Sequence, residues 1–198
     1  MKVCLFGGSF DPVHAGHLAI AQAALEACGL ERVVFLPAAR SPFKAKGSLM
    51  FSDEVRLAML RAATAELPWA EVSALDMQLP APSWSWRVAE AWHTAHPGDA
   101  LFWLLGTDQW ELLHLWARPE YLAELVTFIV YYRGESTPAP RPGVRAIFLP
   151  GALHPASSSA IREALRDGPP VPPSWLPPGV ARLAGHGVGN AESTGCPA

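Results

Sequence analysis

Short apolar runs alternate with helical segments along most of the chain, and this alternation constrains the fold more than any other feature. The strand-like runs lie at residues 3–6, 32–37, 69–76, 100–105, 126–132 and 144–149. The helical segments lie at 16–28, 52–66, from 83 onward and at 157–166, with a short helical passage between 105 and 126. Continuous apolar strands separated by helices are typical of a parallel sheet that is covered on both faces. The pattern predicts an α/β fold with one doubly wound, Rossmann-like parallel sheet, helices on both faces, and ligands beyond the carboxyl ends of the strands.

The composition restricts the class of protein. Of the 198 residues, 50% are hydrophobic and 17% are charged, which excludes disorder over most of the chain. The formal net charge of −3 argues against nucleic acid as a partner, because phosphate-tracking surfaces are basic. No apolar run is long enough for a membrane span, and the scattered Cys4, Cys28 and Cys196 suit a reducing cytoplasm. The oligomeric state stays open, with a homo-oligomer among the alternatives.

The prolines are distributed unevenly. Six of the 20 prolines fall between residues 169 and 178, a density that neither an α-helix nor a central strand accommodates. This stretch is predicted to be a linker before a final helix near residues 180–183. The predicted domain therefore covers residues 1–184, and the small, polar residues 185–198 are expected to form a flexible tail.

The segment 7–18, GGSFDPVHAGHL, follows the first predicted strand and opens the first predicted helix. Backbone N–H groups at a helix N-terminus bind phosphate, and glycines let the backbone approach it closely. His14 and His17 flank Gly16, so both imidazoles can converge while a nucleotide packs against the glycine. Two imidazoles can donate hydrogen bonds to charge that develops on a phosphorus centre. The candidate residues here are Gly7, Gly8, Ser9, Phe10, His14, Gly16 and His17.

The two histidines also allow other interpretations. One imidazole could cap the helix while the other is a hydrogen-bonded core residue. A zinc site fits less well, because no third ligand follows at a suitable spacing. The sequence contains no Walker loop.

A second segment, 157–162 (SSSAIR), combines serines at a predicted helix start with an arginine one turn later. Hydroxyl and N–H groups at a helix start can bind phosphate, which makes Ser157 and Ser158 candidate phosphate ligands. Arg162 can add a charge-assisted hydrogen bond. The alternative is an ordinary helix cap followed by a solvated arginine.

Together these segments resemble the motifs of the nucleotidyltransferases. The first segment contains H-x-G-H, and its longer form is similar to that of the bacterial nicotinate mononucleotide adenylyltransferases. The second is similar to that family's I-S-S-T-x-I-R, with Ala156 in place of the isoleucine and Ser159 in place of the threonine. The resemblance keeps one order from residue 1 to about 184.

Shorter matches lie between the two segments, and the roles of their residues are implied by the resemblance alone. Lys44 would meet a phosphate, although Phe43 replaces the family's usual histidine. Ser85, in S-W-S where the family has S-Y-T, would lie near the pyridine ring, with Trp84 in place of the tyrosine.

Three further matches follow the fourth predicted strand. Gly106 and Asp108 correspond to the family's G-x-D, whose carboxylate holds a ribose hydroxyl. Trp116 corresponds to the tryptophan that stacks on the pyridine, and the Ala117 N–H to the donor for the nicotinate carboxylate. Arg133 stands where the family often has an arginine that touches ligand. The structural alternatives are core packing for Trp116, a helix cap for Asp108, and an edge position with the charge in water for Arg133.

The resemblance implies adenylyl transfer from ATP to nicotinate mononucleotide, which gives nicotinate adenine dinucleotide and pyrophosphate in NAD biosynthesis. The implied catalytic residues are His14, His17 and Arg162, and Mg²⁺ is expected to bind mainly through the ATP phosphates, with no metal site on the protein. Nicotinamide mononucleotide and phosphopantetheine are alternative acceptors. A non-catalytic nucleotide-binding sensor of the same fold is the non-enzyme alternative.

Overall fold

The computed structural model describes residues 1–39, 49–134, 136–151 and 154–189. The strands are β1 (Lys2–Gly8), β2 (Arg32–Pro37), β3 (Ala70–Val72), β4 (Ala100–Gly106), β5 (Thr127–Arg133) and β6 (Ala146–Gly151). The helices are α1 (Ala15–Cys28), α2 (Asp53–Thr64), α3 (Leu75–Gln78), α4 (Ser85–Ala95), α5 (Thr107–Glu111), α6 (Pro119–Leu125), α7 (Ser158–Asp167) and α8 (Pro178–Gly189). A 3₁₀ turn at Leu113–Leu115 links α5 to α6.

The strands form one parallel sheet in the order β3-β2-β1-β4-β5-β6. β1 lies at the centre of the sheet. β2 and β3 follow on one side of it, and β4, β5 and β6 follow on the other side. The predicted doubly wound, Rossmann-like fold is therefore confirmed. Because the connections after β1 and β4 run in opposite directions, a crevice opens between them at the carboxyl ends of the strands.

Alternate side chains of β1 belong to two different cores. Cys4 and Phe6 pack with α1, α2 and α8 on one face of the sheet. Val3 and Leu5 pack with α4 and α6 on the other face. This double burial explains why residues 3–6 are all apolar, and it confirms the prediction of helices on both faces.

Two elements differ from their predicted bounds by more than two residues. The apolar run at 69–76 forms a strand only at Ala70–Val72 and then turns into α3, because the Ser73 hydroxyl accepts the Leu75 N–H at 3.3 Å and diverts the backbone. Helix α8 extends to Gly189 and so continues through the predicted start of the tail at residue 185. Residues 190–198 lie outside the described residues, and the single domain 1–184 stays a prediction.

The proline-rich stretch between α7 and α8 packs against the first helix of the chain. The Trp175 carbonyl accepts the N–H of Ala15, the first residue of α1, at 2.9 Å. Leu176 and Val180 are buried in the core that α1 shares with the sheet. The predicted linker is thus tied to the helix that begins with the histidine segment.

The helices that the structure describes include none that is long and apolar enough to span a membrane.

Candidate functional site

A cavity of about 630 Å³ lies at the carboxyl ends of β1 and β4, where the strand order reverses. Its walls come from the turn after β1, the end of β4, the start of α4, and the segments that precede α6 and α7. Predicted site residues from all these segments meet there, although they are spread over most of the sequence. Those that line the cavity are Gly7, Gly8, Ser9, Phe10, His17, Ser85, Gly106, Asp108, Trp116, Ala117 and Ser158.

The end of β1 has almost no room for side chains at its two glycines. A Cβ atom on Gly7 would lie 3.2 Å from the Trp103 indole, and one on Gly8 would lie 3.1 Å from the Phe10 ring. Phe10 has a φ of 44°, a conformation that bulky residues rarely adopt, and its buried ring packs edge-on against Phe6. At Gly7 and Gly8 the chain therefore presents backbone, not side chains, to the cavity.

Two buried charged residues hold the turn after β1 in place. The guanidinium of Arg56 donates to the carbonyls of Ser9 at 2.6 Å and of Ala38 at 2.8 Å. The carboxylate of Asp11 accepts the Phe51 N–H at 2.9 Å. Both side chains are almost completely buried, at 0% and 1% exposure, so these hydrogen bonds are shielded from water.

His14 and His17 both cap α1, and each of them does so through its own Nδ1 atom. Nδ1 of His14 accepts the Gly16 N–H at 3.1 Å, and Nδ1 of His17 accepts the His14 N–H at 3.3 Å. The two rings lie against each other, with centroids 3.8 Å apart. Since each Nδ1 is an acceptor, the hydrogen of each neutral imidazole is on Nε2, which is a donor. Helix capping and donation to a ligand therefore use opposite sides of the same rings.

Both imidazoles are uncharged at neutral pH. Burial, with smaller contributions from the charges of His154 and Arg133, lowers the pKa of His14 from 6.5 to about 4. Burial, with a smaller contribution from His14, lowers the pKa of His17 well below its usual value. Two neutral rings can stack closely without repulsion, and each retains one N–H donor.

A third imidazole, which the sequence analysis did not single out, lies beside this pair. A Cβ atom on Gly16 would lie 3.0 Å from the His14 ring and 3.3 Å from Cγ of His154. Glycine is needed at this position because the two imidazoles approach it so closely. The space that was predicted for a nucleotide against Gly16 is therefore bounded by His154.

The start of α7 docks onto the segment that follows β1. Ser157 caps α7 by accepting the N–H three residues later, at 3.2 Å, as the capping interpretation predicted. The Ser158 hydroxyl donates to the Pro12 carbonyl at 3.0 Å. Arg162 is not a solvated residue, since it donates to the Asp11 carbonyl at 2.7 Å and lies 3.7 Å from the Asp11 carboxylate. Ser157 and Arg162 adjoin the cavity wall without lining it.

The other end of the cavity is aromatic. The Trp116 ring meets that of Trp103 edge to face, with centroids 6.3 Å apart. Its buried Nε1 has no hydrogen-bond partner among the described residues, and no acceptor among them takes the N–H of Ala117. Trp116 therefore packs in the wall, and its buried Nε1–H is an unpaired donor there.

Of the remaining predicted residues, Asp108 lines the cavity and Arg133 does not. Asp108 lies in the first turn of α5 with an exposed side chain at the cavity, and the cap residue of that helix is Gly106, so the capping interpretation of Asp108 is wrong. Arg133 is exposed at the end of β5 and does not line the cavity, although its charge contributes to the low pKa of His14. Lys44 lies outside the described residues.

Asp76 is a cavity residue that the sequence analysis did not identify. It was predicted to end a strand, but it lies in α3 on the cavity wall. Its Oδ1 accepts the Ser83 hydroxyl at 2.7 Å and the Ala39 N–H at 3.0 Å. Burial raises the pKa of this carboxyl, and these two hydrogen bonds act in the opposite direction. The only sequence signal was an acidic residue at the end of the segment 69–76, which also contains Glu71 and Ser73.

Fold and site together define a class of protein. A doubly wound sheet with a bare backbone turn and paired imidazole donors at its switch point is typical of a nucleotidyltransferase that binds nucleotide phosphates. The cytidylyltransferase-like family model matches residues 5–164. The chain belongs to this family and, within it, to the nicotinate-nucleotide adenylyltransferases, as its relatives indicate.

Curated relatives match over most of their length. One from Methylacidiphilum infernorum, named "Probable nicotinate-nucleotide adenylyltransferase", is 36% identical over 177 residues, which cover 86% of this chain and 83% of the relative. One of the same name from Thermus thermophilus is 36% identical over 193 residues, or 95% of this chain and 99% of the relative.

A solved structure shares the fold. The nicotinic acid mononucleotide adenylyltransferase of Plasmodium falciparum, complexed with NaAD, superposes with a TM-score of 0.72 at 15% identity. The superposition covers 92% of this chain and 93% of that chain. It supports the same arrangement of sheet and helices.

Proposed function

We propose that the protein transfers an adenylyl group from ATP to nicotinate mononucleotide and releases pyrophosphate, a step of NAD biosynthesis. The stacked, neutral imidazoles of His14 and His17 at the carboxyl end of β1 carry this proposal. His17 lines a cavity, and the aromatic wall of that cavity contains N–H donors that are unpaired among the described residues. The names of the curated relatives support the same activity.

The reaction requires alignment and stabilisation of charge. A 5′-phosphate oxygen of the mononucleotide attacks the α-phosphorus of ATP and forms a new O–P bond. The bond from the α-phosphorus to the bridging oxygen breaks, and its electron pair leaves with pyrophosphate. The attacking phosphate is already anionic near neutral pH, so no general base is needed.

The residues at the start of α1 are suited to the phosphoryl group that is transferred. In this proposal, the Nε2–H groups of His14 and His17 donate to oxygens that gain negative charge in the transition state. Backbone N–H groups of the turn formed by Gly7, Gly8, Ser9 and Phe10 bind the ATP phosphates. The turn is preorganised for this role by the Arg56 and Asp11 hydrogen bonds, which do not have to form during the reaction.

Pyrophosphate leaves on the side of α7. We assign Ser157, Ser158 and Arg162 to it because they lie at a helix N-terminus that docks beside the histidine segment. Lys44 is assigned to a phosphate on the basis of the family resemblance alone. The positive charge of Arg162 is already partly directed toward Asp11, so its contact with pyrophosphate would compete with that ion pair.

The donor pattern at the aromatic end favours a carboxylate. The Ala117 N–H and the Trp116 Nε1–H are unpaired among the described residues, and Asp76 already accepts two hydrogen bonds. Nicotinate offers two acceptor oxygens to such donors, whereas a carboxamide would also present N–H groups that need acceptors. Ser85 would lie near the pyridine. Gly106 and Asp108 would hold the ribose, and Arg133 is kept as a peripheral ligand candidate.

Nucleotidyltransferases that use ATP generally work with a divalent metal ion, and we propose Mg²⁺. No group of three His, Cys, Asp or Glu side chains within the described ranges could hold a metal ion, and the Asp11 carboxylate is engaged by backbone N–H groups. The ATP phosphates would therefore be its main ligands, and the ion would neutralise part of their charge. Small-molecule substrates are the supported partners, while a homo-oligomer and a cytoplasmic location stay predictions.

One assay tests the proposed function. Pyrophosphate release from ATP and Mg²⁺ is measured with nicotinate mononucleotide, nicotinamide mononucleotide or phosphopantetheine, and without acceptor as the control. We expect kcat/KM for the nicotinate compound to exceed that for the nicotinamide compound by about tenfold or more, the value of one charge-assisted hydrogen bond. Equal rates would overturn the acceptor assignment. Release with none of the three would favour the sensor alternative.

A further inference from the structure

His154 has the same hydrogen-bonding arrangement as the two motif histidines. Its Nδ1 accepts the N–H of Ala156 at 3.1 Å, in the short connection that leads into α7. Because Nδ1 is an acceptor, the neutral ring carries its hydrogen on Nε2 and can donate from there. The side chain is half-buried, whereas the neighbouring Pro155 is exposed.

The ring of His154 lies on the histidine segment itself. Its Cγ is 3.3 Å from the position of a Cβ on Gly16, and the His14 ring bounds the same position at 3.0 Å. The charge that His154 carries when protonated also contributes to lowering the pKa of His14, which places the two rings close together. Neither of the two sequence motifs includes this residue.

We propose that His154 is a further catalytic residue, which donates a hydrogen bond from Nε2 to an oxygen of the β- or γ-phosphate of ATP. The inference rests on the proposed function. His154 precedes α7, whose first residues are assigned to pyrophosphate, and it faces α1, whose histidines are assigned to the α-phosphate. It therefore lies between α1 and the start of α7, beside the cavity and not in its lining. No proton is transferred: the bond changes are those of adenylyl transfer, and His154 binds charge that accumulates on the leaving pyrophosphate.

A purely structural role for His154 makes a different prediction. The bond from the Ala156 N–H to Nδ1 resembles an Asx turn, and it orders the chain before α7 without any ligand. Two substitutions separate the roles. His154→Asn keeps a side-chain acceptor at the position of Nδ1 and lacks a donor at the position of Nε2. His154→Gln places an amide N–H near the position of Nε2 but loses the acceptor for the Ala156 N–H.

Steady-state kinetics of the full chain with ATP, Mg²⁺ and nicotinate mononucleotide distinguish the two roles. We expect His154→Asn and His154→Ala to lower kcat/KM for ATP by about tenfold or more, with KM for the mononucleotide unchanged, since a hydrogen bond to a charged group is lost. His154→Gln should stay within about threefold of the unsubstituted protein. If the Asn variant is active and the Gln variant is impaired, His154 acts only by ordering the turn before α7, and the proposal is wrong. Unchanged kinetics in all three variants would also overturn it.

Binding measurements keep the test independent of turnover and of folding. Calorimetric titration with pyrophosphate and Mg²⁺ should show the same order of affinities, with Gln above Asn and Ala, in variants whose thermal unfolding is cooperative. His93→Gln, an exposed histidine on α4, is the matched control and should change nothing. If the unsubstituted protein shows no turnover with any acceptor, the proposed function fails. In that case the pyrophosphate affinities still decide whether His154 binds phosphate. Equal affinities in all variants would refute the proposed role of His154.

Discussion

The Ser83 hydroxyl donates to the buried carboxylate of Asp76 at 2.7 Å, and this hydrogen bond joins α3 to the segment that carries Trp84 and Ser85 into the cavity. The same oxygen, Oδ1, also accepts the Ala39 N–H, which follows β2. A single atom thus connects two walls of the cavity. The charge of the carboxylate is not required for either hydrogen bond, because an amide oxygen can accept both.

Asp76→Ala should therefore lower the free energy of unfolding by about 1–3 kcal/mol, since it removes two hydrogen bonds from half-buried donors. It should also raise KM for nicotinate mononucleotide by several-fold. Asp76→Asn should keep both properties close to those of the unsubstituted protein. Urea unfolding and steady-state kinetics measure the two effects. A stable, fully active alanine variant would show that the connection is not needed.

His17→Ala should lower kcat by a factor of about 10² or more, by analogy with loss of an oxyanion donor. It also removes the acceptor for the His14 N–H, which should cost about 1 kcal/mol of stability. His17→Asn is the matched variant, since it can keep that acceptor but lacks a donor at Nε2. We expect Asn to restore the melting temperature and leave kcat low. A near-normal kcat in either variant would exclude His17 as a transition-state donor.

The unpaired Nε1–H of Trp116 predicts a specific effect on the acceptor. Trp116→Phe keeps an aromatic ring but removes the donor, so KM for nicotinate mononucleotide should rise by about threefold to tenfold, with KM for ATP unchanged. Trp86→Phe is the control, because the Nε1 of Trp86 is equally buried and unpaired among the described residues but does not line the cavity. Equal effects of the two substitutions would contradict a ligand role for Trp116.

The low pKa of His14 predicts how stability depends on pH. The group has a pKa near 6.5 when unfolded and about 4 when folded, so the unfolded chain binds more protons between these values. The free energy of unfolding therefore has its full contribution from His14 above pH 6.5. This contribution falls as the pH decreases toward 4, by up to about 1.4 kcal/mol per pH unit. Urea unfolding at intervals from pH 7 to 4 measures the slope. His14→Asn should make it shallower, and an unchanged slope would show that His14 does not titrate as described.

Much of the fold follows from local patterns, because each strand between two cores must be apolar at every position. This is why the bounds of β2 and α1 were predicted almost to the residue. The prediction of a strand over the whole of 69–76 was wrong because the Ser73 hydroxyl binds the Leu75 N–H where the backbone turns, and hydrophobicity alone does not reveal such a bond. Likewise, the capping interpretation and the donor interpretation of His14 looked exclusive in the sequence, yet the two ring nitrogens allow both.

The residues that sequence reasoning missed act across long separations. Arg56 binds a carbonyl 47 residues away, and Asp76 accepts an N–H 37 residues away. His154 meets Gly16 only because α7 docks onto the segment after β1. No local pattern marks such partners, since they are neighbours only in the folded chain. The motif residues were found because their spacing in the sequence already reflects one turn or one helix start.

The hydrogen bond from the Ala15 N–H to the Trp175 carbonyl has a consequence for synthesis of the protein. The histidine segment leaves the ribosome before Trp175, which emerges about 160 residues later and supplies the acceptor for the first helical N–H. The nascent chain can form β1 and α1 early. The Ala15 N–H gains this acceptor only when the proline-rich stretch has emerged and folded back onto α1.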